Sequence, residues 1–263
     1  MKVINPDTNF PPLSPEQQAQ VKDLAMRQKK ANGVLMKAVN FVGGQVEDTL
    51  KLLPKGARAQ IDDAARTALQ KSYDVAATSR SGRLTGKVQS DAGHKVLTTL
   101  SGALGGLGGL PTALAELPVA TTMIFRAVQG VAEHYGEDPT TAETRLECLA
   151  VFGAGGPGDA DDGVDTSFIG ARLGLTGAAV QGLISKVAPR FATILSQKLA
   201  TQAVPVLGAA AGAGTNYAFT GYYVEMAHVH FGLRQLARAH GEDQVLDAFH
   251  AELARDAVQV NAG

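Results

Sequence analysis

The 263-residue sequence predicts an all-α fold, a multi-helix bundle built around two glycine-rich apolar helical hairpins. Three observations carry that prediction. Alanine and glycine dominate the apolar residues while aromatics make up 5% and Trp is absent, which favours closely packed helices over a β-sandwich, whose strands want β-branched and aromatic side chains. Apolar residues recur at helical spacing over most of the chain, and no stretch reads as a strand. Two uncharged runs, about 20 residues between Lys95 and Glu116 and about 26 from Leu199 to Val224, are rich in glycine and punctuated by proline. A chain of this length buries a core without a metal or disulfide staple, and the single Cys148 excludes an internal disulfide.

Residues 1–15 form an extended lead-in, set by Pro6, Pro11, Pro12 and Pro15, and lack the apolar core of a signal peptide. Ser14-Pro15-Glu16-Gln17 reads as an N-cap with proline in the first helical turn, and Val21, Leu24, Ala25, Gln28, Ala31 and Leu35 carry that helix to Asn40. After Gly43-Gly44, a short segment from Val46 to Leu53 ends at Pro54. Ala57 to Thr78 is amphipathic, with Ile61, Ala64, Ala65, Ala68 and Leu69 opposite Arg58, Asp62 and Arg66. Beyond the polar patch Ser79 to Arg83, Leu84 to Leu107 reads as a weaker helix rich in Thr and Gly, which packing must hold. Residues 16–95 together make a basic helical N-terminal arm, because Lys22 to Lys95 holds 14 Lys/Arg against 7 Asp/Glu, while the chain after Lys95 holds 9 against 16. The net charge of -1 provides no global field for nucleic acid. The arm complements either anionic lipid headgroups or the acidic half of its own chain.

Residues 96–263 form a helical core domain. Thr112 to His134 reads as a helix whose internal Pro118 predicts a kink or a new start near Glu116, and Tyr135-Gly136-Glu137-Asp138-Pro139 stops it. Thr141 to Phe152 is a short helix, Phe168 to Lys186 a small-residue helix, and Pro189 to Thr201 leads into the second uncharged run. Its helix continues through Glu225 and His230 to His240, Gly241-Glu242-Asp243 stops it, and Gln244 to Val258 is the last helix. A shift of 105 residues lays Gly136-Glu137-Asp138 on Gly241-Glu242-Asp243, Ala132 on Ala237 and Gly109 on Gly214, a weak internal repeat that helix-stop chemistry alone also explains.

Four ordered blocks stand out: Gly109-Leu-Pro-Thr-Ala-Leu-Ala-Glu-Leu-Pro118 with Thr121, Thr122 and Arg126; Glu143-Thr-Arg-Leu-Glu-Cys-Leu-Ala-Val-Phe-Gly153; Lys198 with Gln202-Ala-Val-Pro-Val-Leu-Gly208; and Glu225-Met-Ala-His-Val-His-Phe231 with Arg234. They resemble the EcsC family of bacterial proteins, named for a protein encoded beside an ABC-transporter operon. Gly109, Pro111, Pro118, Pro205 and Gly208 are the structural positions of the likeness, which spans roughly 105–243 and is loose before Lys95. The resemblance implies a helical, membrane-associated protein, and the glycine-rich uncharged runs with the basic arm add the expectation of a non-enzymatic, membrane- or lipid-associated accessory module. Its expected place is cytoplasmic, peripheral to or partly inserted in the inner membrane, beside an anionic lipid surface or a membrane protein such as a transporter. No established activity comes with the family.

The alternative is a hydrolase or metal-dependent enzyme using Glu116, Arg126, Glu225 and His228. Glu225-x-x-His228 has the i, i+3 spacing that offers a carboxylate and an imidazole to one metal, with His230 as a further candidate. A second such pair is missing, and His230 projects away from His228 on a helix, so packing or surface histidines explain them as well. Glu116, if buried in the apolar layer, needs a cation or donor; Arg126 lies about three turns on, and helix capping is the simpler role. No cofactor follows from these residues. Gly153-Ala-Gly155-Gly-Pro-Gly158 leads into the acidic stretch Asp159 to Asp165 rather than a phosphate-binding helix, and that stretch lacks the calcium-loop glutamate. Gly102/Gly106, Gly105/Gly109, Gly170/Gly174 and Gly208/Gly212 are G-x-x-x-G pairs that allow close helix approach. The runs are long enough to span a bilayer but poor in strongly apolar residues, which favours a buried hairpin or partial insertion.

Overall fold

Capping chemistry sets the helix ends. In the computed structural model, which describes residues 10–43, 56–78, 109–154, 177–202 and 208–260, α1 (Pro15–Gly43) opens on a reciprocal capping box. Gln17 N donates to Ser14 Oγ at 3.3 Å and Ser14 N donates to Gln17 Oε1 at 2.7 Å. The other helices are α2 (Ala57–Thr78), α3 (Gly109–His134), α4 (Ala142–Val151), α5 (Gly177–Gln202), α6 (Gly208–His240) and α7 (Glu242–Val260). No strand occurs among the described residues, so the all-α prediction holds. The short segment 46–53, the helix expected over 84–107, the start of the helix expected from Phe168, the acidic stretch 159–165, Pro205 and most of the paired glycines lie outside those residues.

α3 ends in a Schellman arrangement: Gly136 takes φ +79°, its N–H reaches Glu133 O at 2.9 Å, and Glu137 N reaches Ala132 O at 3.0 Å. α6 ends on Gly241 at φ +92°, whose N–H reaches Ala237 O at 2.9 Å. The two Gly-Glu-Asp stops are thus the same device, a left-handed glycine closing a long helix. α4 begins on Thr141, whose hydroxyl accepts from Thr144 N at 3.2 Å.

Both internal prolines sit within single helices. α3 runs from Gly109 to His134 with Pro118 inside it and makes no new start at Glu116. α5 runs through Pro189, where the sequence suggested a boundary. In each case the threonine four residues on donates its hydroxyl to the proline carbonyl, Thr122 to Pro118 at 2.7 Å and Thr193 to Pro189 at 3.0 Å. Pro189 is exposed while Leu183, Ile184, Val187, Phe191, Ala192 and Leu195 of α5 are buried, so burial of one face outweighs the missing backbone donor.

α6 is the axis of the molecule. α1, α3, α5 and α7 all lie along it, α2 packs on the outer side of α3 and α5, and α4 bridges the two groups. Being surrounded, α6 is apolar on several faces: Tyr223, Met226, Ala227, Val229, Phe231 and Leu233 are all fully buried. Phe125, Phe152 and Tyr223 stack in the interior beside it, 4.9 Å between the ring centroids of Phe152 and Tyr223, and Phe191 meets Phe152 edge to face at 5.3 Å. Val21, Leu24, Ala25 and Ala31 bind α1 into the same core. Gly232 permits the close approach of α1 to α6, since a Cβ there would stand 2.8 Å from Leu24 Cδ2. Among the described residues no helix is long and apolar enough to cross a membrane.

Candidate functional site

A half-open groove of about 570 Å³ lies between α1 and α6. Asp23, Arg27, Lys30 and Met26 line it from α1, and Tyr217, Tyr222, Gly221 and Glu225 from α6. Helical spacing explains the first wall, because 23, 26, 27 and 30 fall on one side of α1, opposite the buried Val21, Leu24, Ala25 and Gln28. Arg27 spans the groove: Nε donates to Asp23 Oδ2 and Nη1 donates to Glu225 Oε2, both at 3.0 Å. Burial alone would lower the Arg27 pKa, but Asp23 and Glu225 outweigh it and hold the guanidinium above its ordinary value, fully charged.

One turn further along α6 stands His228, half-buried, with its Nδ1 3.4 Å from the Tyr135 hydroxyl. His134, Tyr135 and His228 meet edge to face, with centroids 5.1 to 6.0 Å apart. Burial raises the Tyr135 phenol pKa; Arg27 opposes that rise, and Asp23 and Glu225 add to it. Tyr135 therefore feels the charges at the groove, and His228 lies beside it.

His230 points elsewhere. Its Nε2 donates to Glu147 Oε2 at 2.8 Å in the interior, where both side chains are almost wholly buried. Arg234, one turn on, forks across three carboxylates: Nη1 to Glu147 Oε1 at 2.7 Å, Nη2 to Glu143 Oε1 at 2.6 Å, and Nε to Glu137 Oε1 at 3.2 Å. Arg238 also pairs with Glu137, and burial lowers the Arg238 pKa. Glu143 and Glu147 are one turn apart on α4, as are His230 and Arg234 on α6. Two matched i, i+4 pairs, Glu143 with Glu147 and His230 with Arg234, were the only sequence signal for this network, and sequence reasoning missed it. The network locks the α3 stop, α4 and α6 together.

Glu225, His228 and His230 are thus distributed over an ion pair with α1, an aromatic contact with α3 and a buried bridge to α4. Among the described residues no three His, Cys, Asp or Glu side chains come together as a metal-binding set. Arg126 is half-buried on α3, and the Glu116 side chain lies outside the described residues. Gly109, Pro111, Pro118 and Gly208 fall on α3 and α6 as helix positions.

The EcsC protein family profile matches residues 17–236, most of the chain. The chain belongs to the EcsC family. The match runs from the first turn of α1 to Leu236 on α6, so the groove and the buried ion network of this EcsC chain both lie within it. It also takes in the segment before Lys95, where the four blocks gave only a loose likeness. No curated protein and no solved structure matches the chain.

Proposed function

We propose that this EcsC chain is a non-enzymatic accessory module that docks on an anionic lipid surface, cytoplasmic and peripheral to the membrane, next to a membrane protein it serves. One observation carries the reading. On α1 the exposed side chains of Lys22, Met26 and Lys30 follow at four-residue spacing, and the exposed Tyr217 stands across the groove from them. A cation, an apolar side chain and a second cation in one stripe match the headgroup boundary, where lysine heads meet phosphate and the thioether and phenol reach toward the acyl chains. α1 carries five Lys/Arg and two Asp/Glu, so the helix that bears this stripe is itself basic.

Flotation with anionic and with zwitterionic vesicles tests it. The protein is expected to float with anionic vesicles at low salt and to be released as salt rises. Lys22→Gln with Lys30→Gln removes two contacts of about 1 kcal/mol each and weakens binding by about 30-fold. Recovery of the unsubstituted protein wholly in the soluble fraction at low salt, with anionic vesicles present, ends this reading.

A further inference from the structure

The groove beside the stripe interleaves charge of both signs. Arg27 is held by one carboxylate from each helix, which fixes the plane of its guanidinium, and Nη2 makes no hydrogen bond among the described residues. That leaves Nη2 as a pre-oriented donor beside the Lys30 ammonium, and the two cationic groups together suit a phosphate. Asp23 and Glu225 each spend one oxygen on Arg27, and Asp23 Oδ1 and Glu225 Oε1 make no hydrogen bond among the described residues. Both carboxylates therefore keep an acceptor for a cation. A simple anion entering the groove meets two carboxylates, and a simple cation meets two bases; a ligand with phosphate and ammonium a few ångströms apart meets its complement at both. Met26, Ala31, Tyr217 and Ala218 supply the apolar surface for its carbon chain. The volume of about 570 Å³ falls within the range that small-molecule sites occupy, roughly 300–1,000 Å³.

We infer that the α1–α6 groove binds one aminophospholipid headgroup, with its phosphodiester on Arg27 and Lys30 and its primary ammonium on Asp23 and Glu225. The source of the ligand rests on the lipid-surface reading, whereas the binding itself does not. Glu225 is then a specificity determinant for the amine, and Arg27 the phosphate ligand. Tyr217 and Tyr222 form the wall against which the glycerol portion lies.

The test is calorimetric titration with short-chain phospholipids below their micelle-forming concentration, which keeps headgroup recognition apart from adsorption to a bilayer. Phosphatidylethanolamine is expected to bind saturably, one per chain. Phosphatidylcholine, with the amine methylated, and phosphatidylglycerol, with no amine, should bind at least tenfold more weakly. Glu225→Gln should collapse the preference for ethanolamine over glycerol to near unity while retaining binding. Arg27→Gln should weaken every headgroup at least tenfold; if that variant fails to fold, Lys30→Gln gives the same readout from an exposed position. Equal affinity for all three headgroups, or no saturable binding, overturns the inference. Free phosphoethanolamine binding as tightly as the lipid also overturns it, since the site then reads a soluble amino phosphate. Loss of monomeric lipid binding with vesicle flotation intact removes the headgroup site and leaves the surface reading standing. Saturable lipid binding without flotation does the reverse.

Discussion

Arg234 carries hydrogen bonds to three carboxylates from a position that is 6% exposed, and no other side chain of the network reaches all three. Removing it leaves Glu147 buried with only its hydrogen bond to His230. Arg234→Met is expected to destabilise the fold by about 3–5 kcal/mol in urea denaturation, because an uncompensated buried carboxylate remains. Arg234→Lys should recover little, since a single ammonium cannot serve three acceptors in a plane. Tyr223 presents the opposite case: its hydroxyl is buried and has no hydrogen-bond partner among the described residues. Tyr223→Phe should be neutral or stabilise by up to about 1 kcal/mol at neutral pH. Burial raises the Tyr223 phenol well above its ordinary value, with Tyr222 adding to the rise, so the folded state holds that proton longer than the unfolded one. Its contribution is therefore complete below the unfolded pKa, about 10, and falls as pH rises beyond it. An alkaline stability titration of Tyr223→Phe should show a shallower decline than the parent.

At the level of helices, proline shows how far local rules carry. Pro189 is exposed inside α5, lacks a backbone donor, and is tolerated because the opposite face of the helix is buried. Pro189→Ala is expected to raise stability by about 1–2 kcal/mol in a thermal melt, the helix-interior penalty of proline less its effect on the unfolded chain. The same balance explains what the sequence made legible. α2 matches its amphipathic pattern from Ala57 to Thr78, and α1, α4, α6 and α7 end where caps and glycines said they would, within a few residues. Those signals are local: a hydroxyl at an N-cap, a left-handed glycine at a stop. The union of two expected segments across Pro189 was not legible, because the burial that overrides a proline is contributed by α2, α4 and α6. The site was less legible still. Glu225 and His228 share a helix face at metal-ligand spacing, yet Glu225 is claimed by Arg27, almost 200 positions earlier, and nothing local encodes that pairing.

The whole molecule is arranged around α6, and the residues just before α1 meet the α6–α7 junction at one corner of it. Phe10 packs over Gly241, where an added Cβ would stand 2.6 Å from its ring. Gln244 Nε2 donates to Pro11 O at 3.3 Å, Lys29 Nζ donates to Glu252 O at 2.9 Å, and Gln17 reaches the His240 ring at 3.1 Å. α7 lies beyond the family match, but Val245 and Phe249 are fully buried against the α1–α6 pair. A chain ending at Gly241 should therefore lose cooperative unfolding or aggregate, read by sedimentation and a urea midpoint, even though the matched region is retained. The described core was foreseeable as a helical bundle from composition and period alone. The basic N-terminal segment contributes Val21, Leu24, Ile61 and Leu69 to the same interior as the acidic remainder.

The distribution of tyrosine in this chain has a practical consequence. With no Trp and five Tyr, all of the protein's ultraviolet emission comes from phenols, and two of the five, Tyr217 and Tyr222, line the groove. Tyr217 is 55% exposed and Tyr222 is buried, so they begin in different surroundings. Occupation of the groove thus has a built-in optical reporter: an amphiphile that settles there shields Tyr217 from dissolved quenchers, and Tyr217→Phe silences that response without adding any label to the molecule.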